Sequence, residues 1–353
     1  METLQFLSLI FSLFAWTFVC IVLLLLLYRI YSVVIRKKPR QGIGRVEGSV
    51  YPKVLKLLFA IAVVLLAVNA WFYVHIVSPF NSFIPGYLPH LLVILITLLS
   101  GFELFLGGSI SDNLIQKSYK KIVLTVVVAI LLPVNIYLII SLPAIFTYPT
   151  EDESYLLEVP VRGTWSAGHA GGSTLVNYHQ AIQSQQYAID ITKVNERGAF
   201  FRDSGMHLTD HFSMGQTVYA PVDGIVVQSV DGLPNTDITF APADTVYPAG
   251  NHVVIQFKED RYVFLAHLDE GSVLVEATDT VAAGDPIGRV GNSGNTSWPH
   301  LHMHIQDKPY LDYENAAGYP FRFREMERKR WFGWRTVTKD YILRNDWFRS
   351  LSD

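Results

Sequence analysis

Sulfur and charge are both scarce in this chain. Of its 353 residues one is cysteine, Cys20, so no intramolecular disulfide can form and no metal can sit in a cage of thiolates. Any metal site must be built from histidine and carboxylate. Charged residues make up 17% of the chain against 50% hydrophobic, a balance unusual for a wholly soluble protein of this length. A basic excess is also missing: 28 Lys and Arg stand against 31 Asp and Glu, for a net charge of -3. Nucleic-acid binding leaves a basic footprint, so that class of partner is excluded. Neither an internal repeat nor a low-complexity stretch is visible.

The apolar residues that are present crowd into the first 147 positions. A helix needs roughly 20 apolar residues to cross a hydrocarbon core of about 30 Å. Four segments qualify: Leu7 to Tyr28, Leu55 to Val77, Leu88 to Leu106 and Ile122 to Ile145. The first is too long for a cleaved signal peptide and reads as an anchor. Arg29, Arg36, Lys37, Lys38, Arg40, Arg45, Lys53 and Lys56 fill the loop after the first segment, and Lys117, Lys120 and Lys121 the loop before the last. Positive loops stay in the cytoplasm, so four crossings would return the chain to the outer side after Tyr148. Glu103 is the one acidic residue placed inside a span. With no second intramembrane charge to relay protons, it reads as a structural residue of a four-helix anchor in a lipid bilayer.

From Glu151 onward the pattern changes to short runs of Val, Ile, Tyr and Thr separated by Gly, Asp and Asn. This is the pattern of strands and turns. Strands are expected at Thr217 to Tyr219, Gly224 to Val230, His252 to Phe257, Tyr262 to His267 and His300 to Gln306. The expected fold is therefore a membrane α-helical N-terminal half with four transmembrane helices, residues 1–147, joined to a mainly antiparallel β domain, residues 151–306. A tail over residues 307–353 reads as irregular and packs on or near that domain. The chain belongs, on this reading, in a bacterial cytoplasmic membrane, with its β domain on the outer side.

Hydrolysis of an amide near neutral pH needs an activated water, which a zinc ion with three protein ligands and one open position supplies. Three stretches carry suitable side chains. In Pro299-His300-Leu301-His302-Met303-His304 the imidazoles alternate, so a strand would put all three on one face. Asp190 closes the apolar run Tyr187-Ala188-Ile189, and a buried carboxylate calls for a cation. Tyr262 to Leu268 is a hydrophobic strand interrupted by His267. Spacing alone does not separate the roles of His300 and His302.

Four motifs taken in order resemble the lysostaphin or LytM type of zinc metallopeptidase. They are Val218 to Val226, Phe264 to Leu268, Ala283 to Gly294 and Pro299 to His302. The resemblance implies a zinc-dependent endopeptidase cutting amide bonds in peptidoglycan peptides, with Asp190 and His302 as zinc ligands. It further implies that His267 and His300 flank the open coordination position as general acid or base. The usual first ligand lies four residues before the aspartate, where this chain has Gln186, and His179 is the candidate to replace it. A domain without that ligand would bind wall polymer or regulate another hydrolase without cutting.

Other histidines read differently. His207 and His211 are four apart but lie in a Gly-rich loop without a helical apolar period, so a loop facing solvent or substrate is expected. His304 continues the ligand face and is expected to hydrogen-bond a ligand without itself ligating. His169 and His252 read as ordinary loop and strand residues. Gly291 to Gly294 lacks the following Lys of a phosphate loop and reads as a tight turn.

Overall fold

Runs of β-branched and aromatic residues between Gly, Asp and Asn turns fold into fourteen strands in the computed structural model, which describes residues 143–238, 246–330 and 333–351. They are β1 (Tyr155–Leu157), β2 (Trp165–His169), β3 (Ile189–Lys193), β4 (Thr217–Tyr219), β5 (Gly224–Val230), β6 (Asn251–Lys258) and β7 (Arg261–Leu268). After them come β8 (Thr280–Val281), β9 (Pro286–Arg289), β10 (Leu301–Gln306), β11 (Gly318–Tyr319), β12 (Phe321–Lys329), β13 (Arg335–Asp340) and β14 (Trp347–Arg349). One sheet runs in the order β1-β12-β14-β2-β3-β10-β7-β6-β5-β8, with β11 on β10 and β13 on β12, while β4 and β9 pair apart. Its ladders are antiparallel except β1 with β12.

β10 lies at the centre and is buried along its whole length. Its odd residues Leu301, Met303 and Ile305 enter the main core together with Ile189 and Ile191 of β3 and Val263 and Leu265 of β7. Each such side chain contributes about 1.5–3 kcal/mol when withdrawn from water. Because successive side chains alternate, that same burial turns His302, His304 and Gln306 to the opposite face. Asp190 lies directly across from His302 on β3, so it shares that face. A one-residue slip would bury the imidazoles in the core, and the core residues therefore hold the register of the site.

The expectation of a membrane-helical half is corrected. The described residues are mainly β-sheet, with α-helix at residues 143–145 and 3-10 turns at Tyr178–Ala181, Gln183–Gln185 and Leu208–Asp210. No helix among the described residues is long and apolar enough to cross a membrane. The first three expected spans, Glu103, and all but the last residues of the fourth lie outside the described residues. Of the fourth, Pro143 and Ala144 are exposed and Ile145 is buried. Hydropathy counts apolar side chains without distinguishing a core from lipid.

The tail is corrected too, since β11 to β14 belong to the sheet. Its charges concealed the strands. Phe321, Phe323 and Met326 of β12 are buried, while Arg328 pairs with Asp340 at 2.9 Å and Arg330 with Asp346 at 2.8 Å. β14 covers β2, with Ala167 N–H donating to the Asp346 carbonyl and Asn345 N–H to that of Ala167. The strand beside β3 is thereby not an open edge.

Candidate metal centre and its flanking imidazoles

Three buried side chains converge on the polar face of the sheet. Asp190 Oδ2 lies 2.9 Å from His179 Nε2, and Asp190 Oδ1 lies 2.8 Å from His302 Nδ1. The donor atoms of the three lie within 4.8 Å of one another, forming a group able to hold a metal ion. Burial, the largest influence, raises the Asp190 carboxyl, but the His179 charge and the contacts to His179 and His302 hold it well below the carboxylate range. Burial lowers His302, against the pull of Asp190. A buried carboxylate and two buried imidazoles with their donor atoms this close are the donor set a zinc ion takes. Residues and group fit.

His179 reaches the site over a separation of 11 residues from Asp190. Two tight turns close that distance, at Tyr178–Ala181 and Gln183–Gln185. The fully buried Asn177 pins them: its Nδ2 donates to the carbonyls of Gly171 at 3.0 Å and Ala188 at 2.9 Å, and its Oδ1 accepts the His179 N–H. Gln186 ends the second turn and is not in the group able to hold a metal, whereas His179 is. Gln185 Oε1 lies 3.1 Å from His179 Nδ1, and the Tyr178 hydroxyl donates to Asp190 Oδ2 at 3.4 Å.

His267 comes to this face by a break in β7. Strict alternation would send it toward the core with Val263 and Leu265. Instead the β6–β7 register shifts between Asn251 and Val253, leaving one extra residue in β7, and His267 takes a left-handed φ of 64°. Such a conformation in a non-glycine residue is uncommon and is held by its surroundings. Its N–H donates to the Ala249 carbonyl and its carbonyl accepts the Gly291 N–H. Gly250 and Gly294, both with positive φ, pass so close that a Cβ on either would strike the other turn's backbone, so the expected tight turn at Gly291 to Gly294 needs glycine at its end. The ring of His267 lies 4.9 Å from that of His300 and 5.8 Å from that of His302.

Both flanking rings donate Nδ1–H to a carbonyl, His267 to Ser293 at 2.9 Å and His300 to Trp298 at 2.8 Å. A carbonyl only accepts, so in the neutral rings Nε2 carries the lone pair. His300 Nε2 lies 3.7 Å from Asp190 Oδ1. Burial first, then the charges of His300 and His302, hold His267 well below the ordinary imidazole value, keeping it a free base at neutral pH.

His304 hydrogen-bonds His302, as expected, with Nδ1 2.9 Å from His302 Nε2. His207 precedes a short turn, Leu208–Asp210, and His211 is buried, its Nε2 donating to the Gly205 carbonyl at 3.0 Å. The latter corrects the expectation of a loop residue facing solvent or substrate. His169 sits at the end of β2 with its ring 4.3 Å from that of Tyr178 and 6.1 Å from that of His179, nearer the site than the sequence suggests. Sequence reading gave no role to Asn177, Gln185 or Gln306, for buried amides carry no motif.

Residues 204–313 match the sequence model of Peptidase family M23, a stretch that contains His267, His300 and His302 but not His179 or Asp190. A search of curated proteins finds no match. Among solved structures, the chain is similar to a zinc-containing peptidase from Vibrio cholerae at 26% identity and a TM-score of 0.21, over 26% of this chain and 24% of that one. It is similar to the catalytic domain of lysostaphin from Staphylococcus simulans at 17% identity and a TM-score of 0.25, over 46% and 88%. A putative glycyl-glycine endopeptidase LytM from Ruminococcus gnavus shares 16% identity at a TM-score of 0.27, over 48% and 57%. The match thus spans about a quarter of the Vibrio cholerae chain. At TM-scores this low the likenesses carry no argument about function.

Proposed function

We infer that the domain is a zinc-dependent endopeptidase that hydrolyses amide bonds in peptidoglycan peptides. The observation that carries this reading is the convergence of His179, Asp190 and His302 beside two imidazoles that both offer Nε2. The family match over residues 204–313 supports peptidase chemistry, and the four wall-peptidase motifs lie inside it.

His179, Asp190 and His302 would hold the zinc ion, which would supply a Lewis acid to activate water and polarise the scissile carbonyl. His267, a free base at Nε2, takes the proton from the attacking water and returns it to the departing amine nitrogen. His300, its Nδ1 fixed on Trp298, presents Nε2 toward the charge that develops on the scissile carbonyl, and when protonated stabilises it. The wall polymer lies outside the cytoplasmic membrane, so the domain works on that side.

Purified sacculi incubated with the zinc-loaded full chain test this. Soluble fragments and new amino termini are expected, and their loss in an Asp190→Ala chain. A chain that holds zinc yet releases neither fragments nor termini would instead support the non-cutting, polymer-binding reading.

A further inference from the structure

We propose that Gln306 and His304 are positioning residues that hold the His302 ring in the tautomer whose Nδ1 lone pair faces the metal. This deepens the reading of His179, Asp190 and His302 as ligands and rests on it.

The relay starts from an amide. Gln306 is fully buried, and its Nε2 donates to two backbone carbonyls, those of Lys308 at 3.0 Å and Tyr310 at 2.6 Å. Carbonyls cannot donate, so both amide hydrogens are used and the orientation of the side chain is settled. Its Oε1 then faces His304 Nε2 at 3.1 Å and can only accept. His304 therefore carries its proton on Nε2, which leaves a lone pair on Nδ1. That lone pair lies 2.9 Å from His302 Nε2, which must donate to it. The proton of neutral His302 is thus committed to the side away from Asp190.

In that tautomer of neutral His302 the Nδ1 lone pair stands 2.8 Å from Asp190 Oδ1. Two such atoms repel unless a cation lies between them or near both. The relay thus fixes which nitrogen ligates, and a neutral amide ends it. Imidazole ligands usually give their second N–H to an outer partner, and losing that partner typically weakens metal binding about 10- to 100-fold. The ring of His304 also stacks on Phe264, with centroids 4.7 Å apart and planes 13° from parallel. Packing is therefore the rival explanation of its burial.

Two substitutions in the full chain separate the roles. His304→Phe keeps the ring and its stacking but has no acceptor, whereas His304→Asn loses the ring and keeps an oxygen near the Nδ1 position. Zinc affinity, read by competition with a chelator, is expected to fall about 10- to 100-fold in His304→Phe and to stay within about threefold of the native chain in His304→Asn. Nitrogen NMR of histidine-labelled native chain at pH 8, with and without zinc, is expected to show the His304 proton on Nε2. Should the native chain bind no zinc, the ligand reading fails, and the His304 proton position still decides this proposal. A proton on His304 Nδ1, or a His304→Phe chain that binds zinc better than His304→Asn, overturns it.

Discussion

Asp190 and His302 face each other across neighbouring strands, with Oδ1 and Nδ1 2.8 Å apart on the polar side of the sheet. The carboxylate also meets His179 through its second oxygen, so it bridges both imidazoles. An Asp190→Asn chain keeps the shape but loses the charge and one acceptor. Metal analysis is expected to find less than a tenth of the native zinc, with kcat/KM down by about 10³ or more, the scale on which removing a metal ligand acts. Full zinc content in this variant would detach the carboxylate from the site.

The role proposed for His267 is that of a proton carrier and not of a ligand. Substituting it with Ala should leave zinc content unchanged while kcat falls about 10²- to 10⁴-fold, the usual contribution of a general acid or base. The left-handed backbone at this position makes Asn a second useful substitution, because Asn tolerates that conformation. His267→Asn is expected to match the Ala variant in activity and exceed it in stability. Zinc loss in both would convert His267 into a ligand.

Three deeply buried imidazoles contribute to the acid response of the metal-free chain. His169, His267 and His304 are all held well below their ordinary value, with burial the first cause in each. Unfolding releases them to titrate near about 6.5. Below that pH the unfolded chain takes up protons that the folded chain refuses, so stability is full above about 6.5 and declines as pH falls. Each group costs up to about 1.4 kcal/mol per pH unit in that window. Urea denaturation of chelator-treated protein should show lower stability at pH 5.5 than at pH 7.5. Equal stability at both would mean these rings are not withdrawn from water.

The C-terminal strands lock the strand next to Asp190. Asp346 is buried, accepts from Arg330 through both oxygens, and takes the Leu343 N–H as well. Removing one partner of a buried ion pair strands the other charge, at about 3–5 kcal/mol. Asp346→Ala is expected to lose stability on that scale in denaturant unfolding. A loss below about 1 kcal/mol would mean the pair is solvated.

Much of the β domain was legible because its strands carry alternation and turn residues. Thr217–Tyr219 and Gly224–Val230 run over the residues expected, and β10 presents its histidines as the two-residue period requires. The convergence of His179 on Asp190 was not legible from spacing, because two short turns and the buried amide of Asn177 bring them together, and turn geometry leaves little trace in a sequence. The orientation of His267 depends on a bulge, which periodicity cannot anticipate. The tail misled because Arg322, Arg328 and Arg330 look solvated until their partners Asp340 and Asp346 are placed by the fold. Apolar runs before Pro143 suggested membrane helices, and no described residue carries one.

The most direct measurement is zinc per chain in the full-length protein after loading and removal of excess metal, compared between His179→Ala and Gln186→Ala. The native chain and Gln186→Ala are expected to hold about one ion each, and His179→Ala less than a tenth of that. Retention of zinc by His179→Ala together with its loss from Gln186→Ala would contradict the placement of His179 beside Asp190 and His302 as the third ligand.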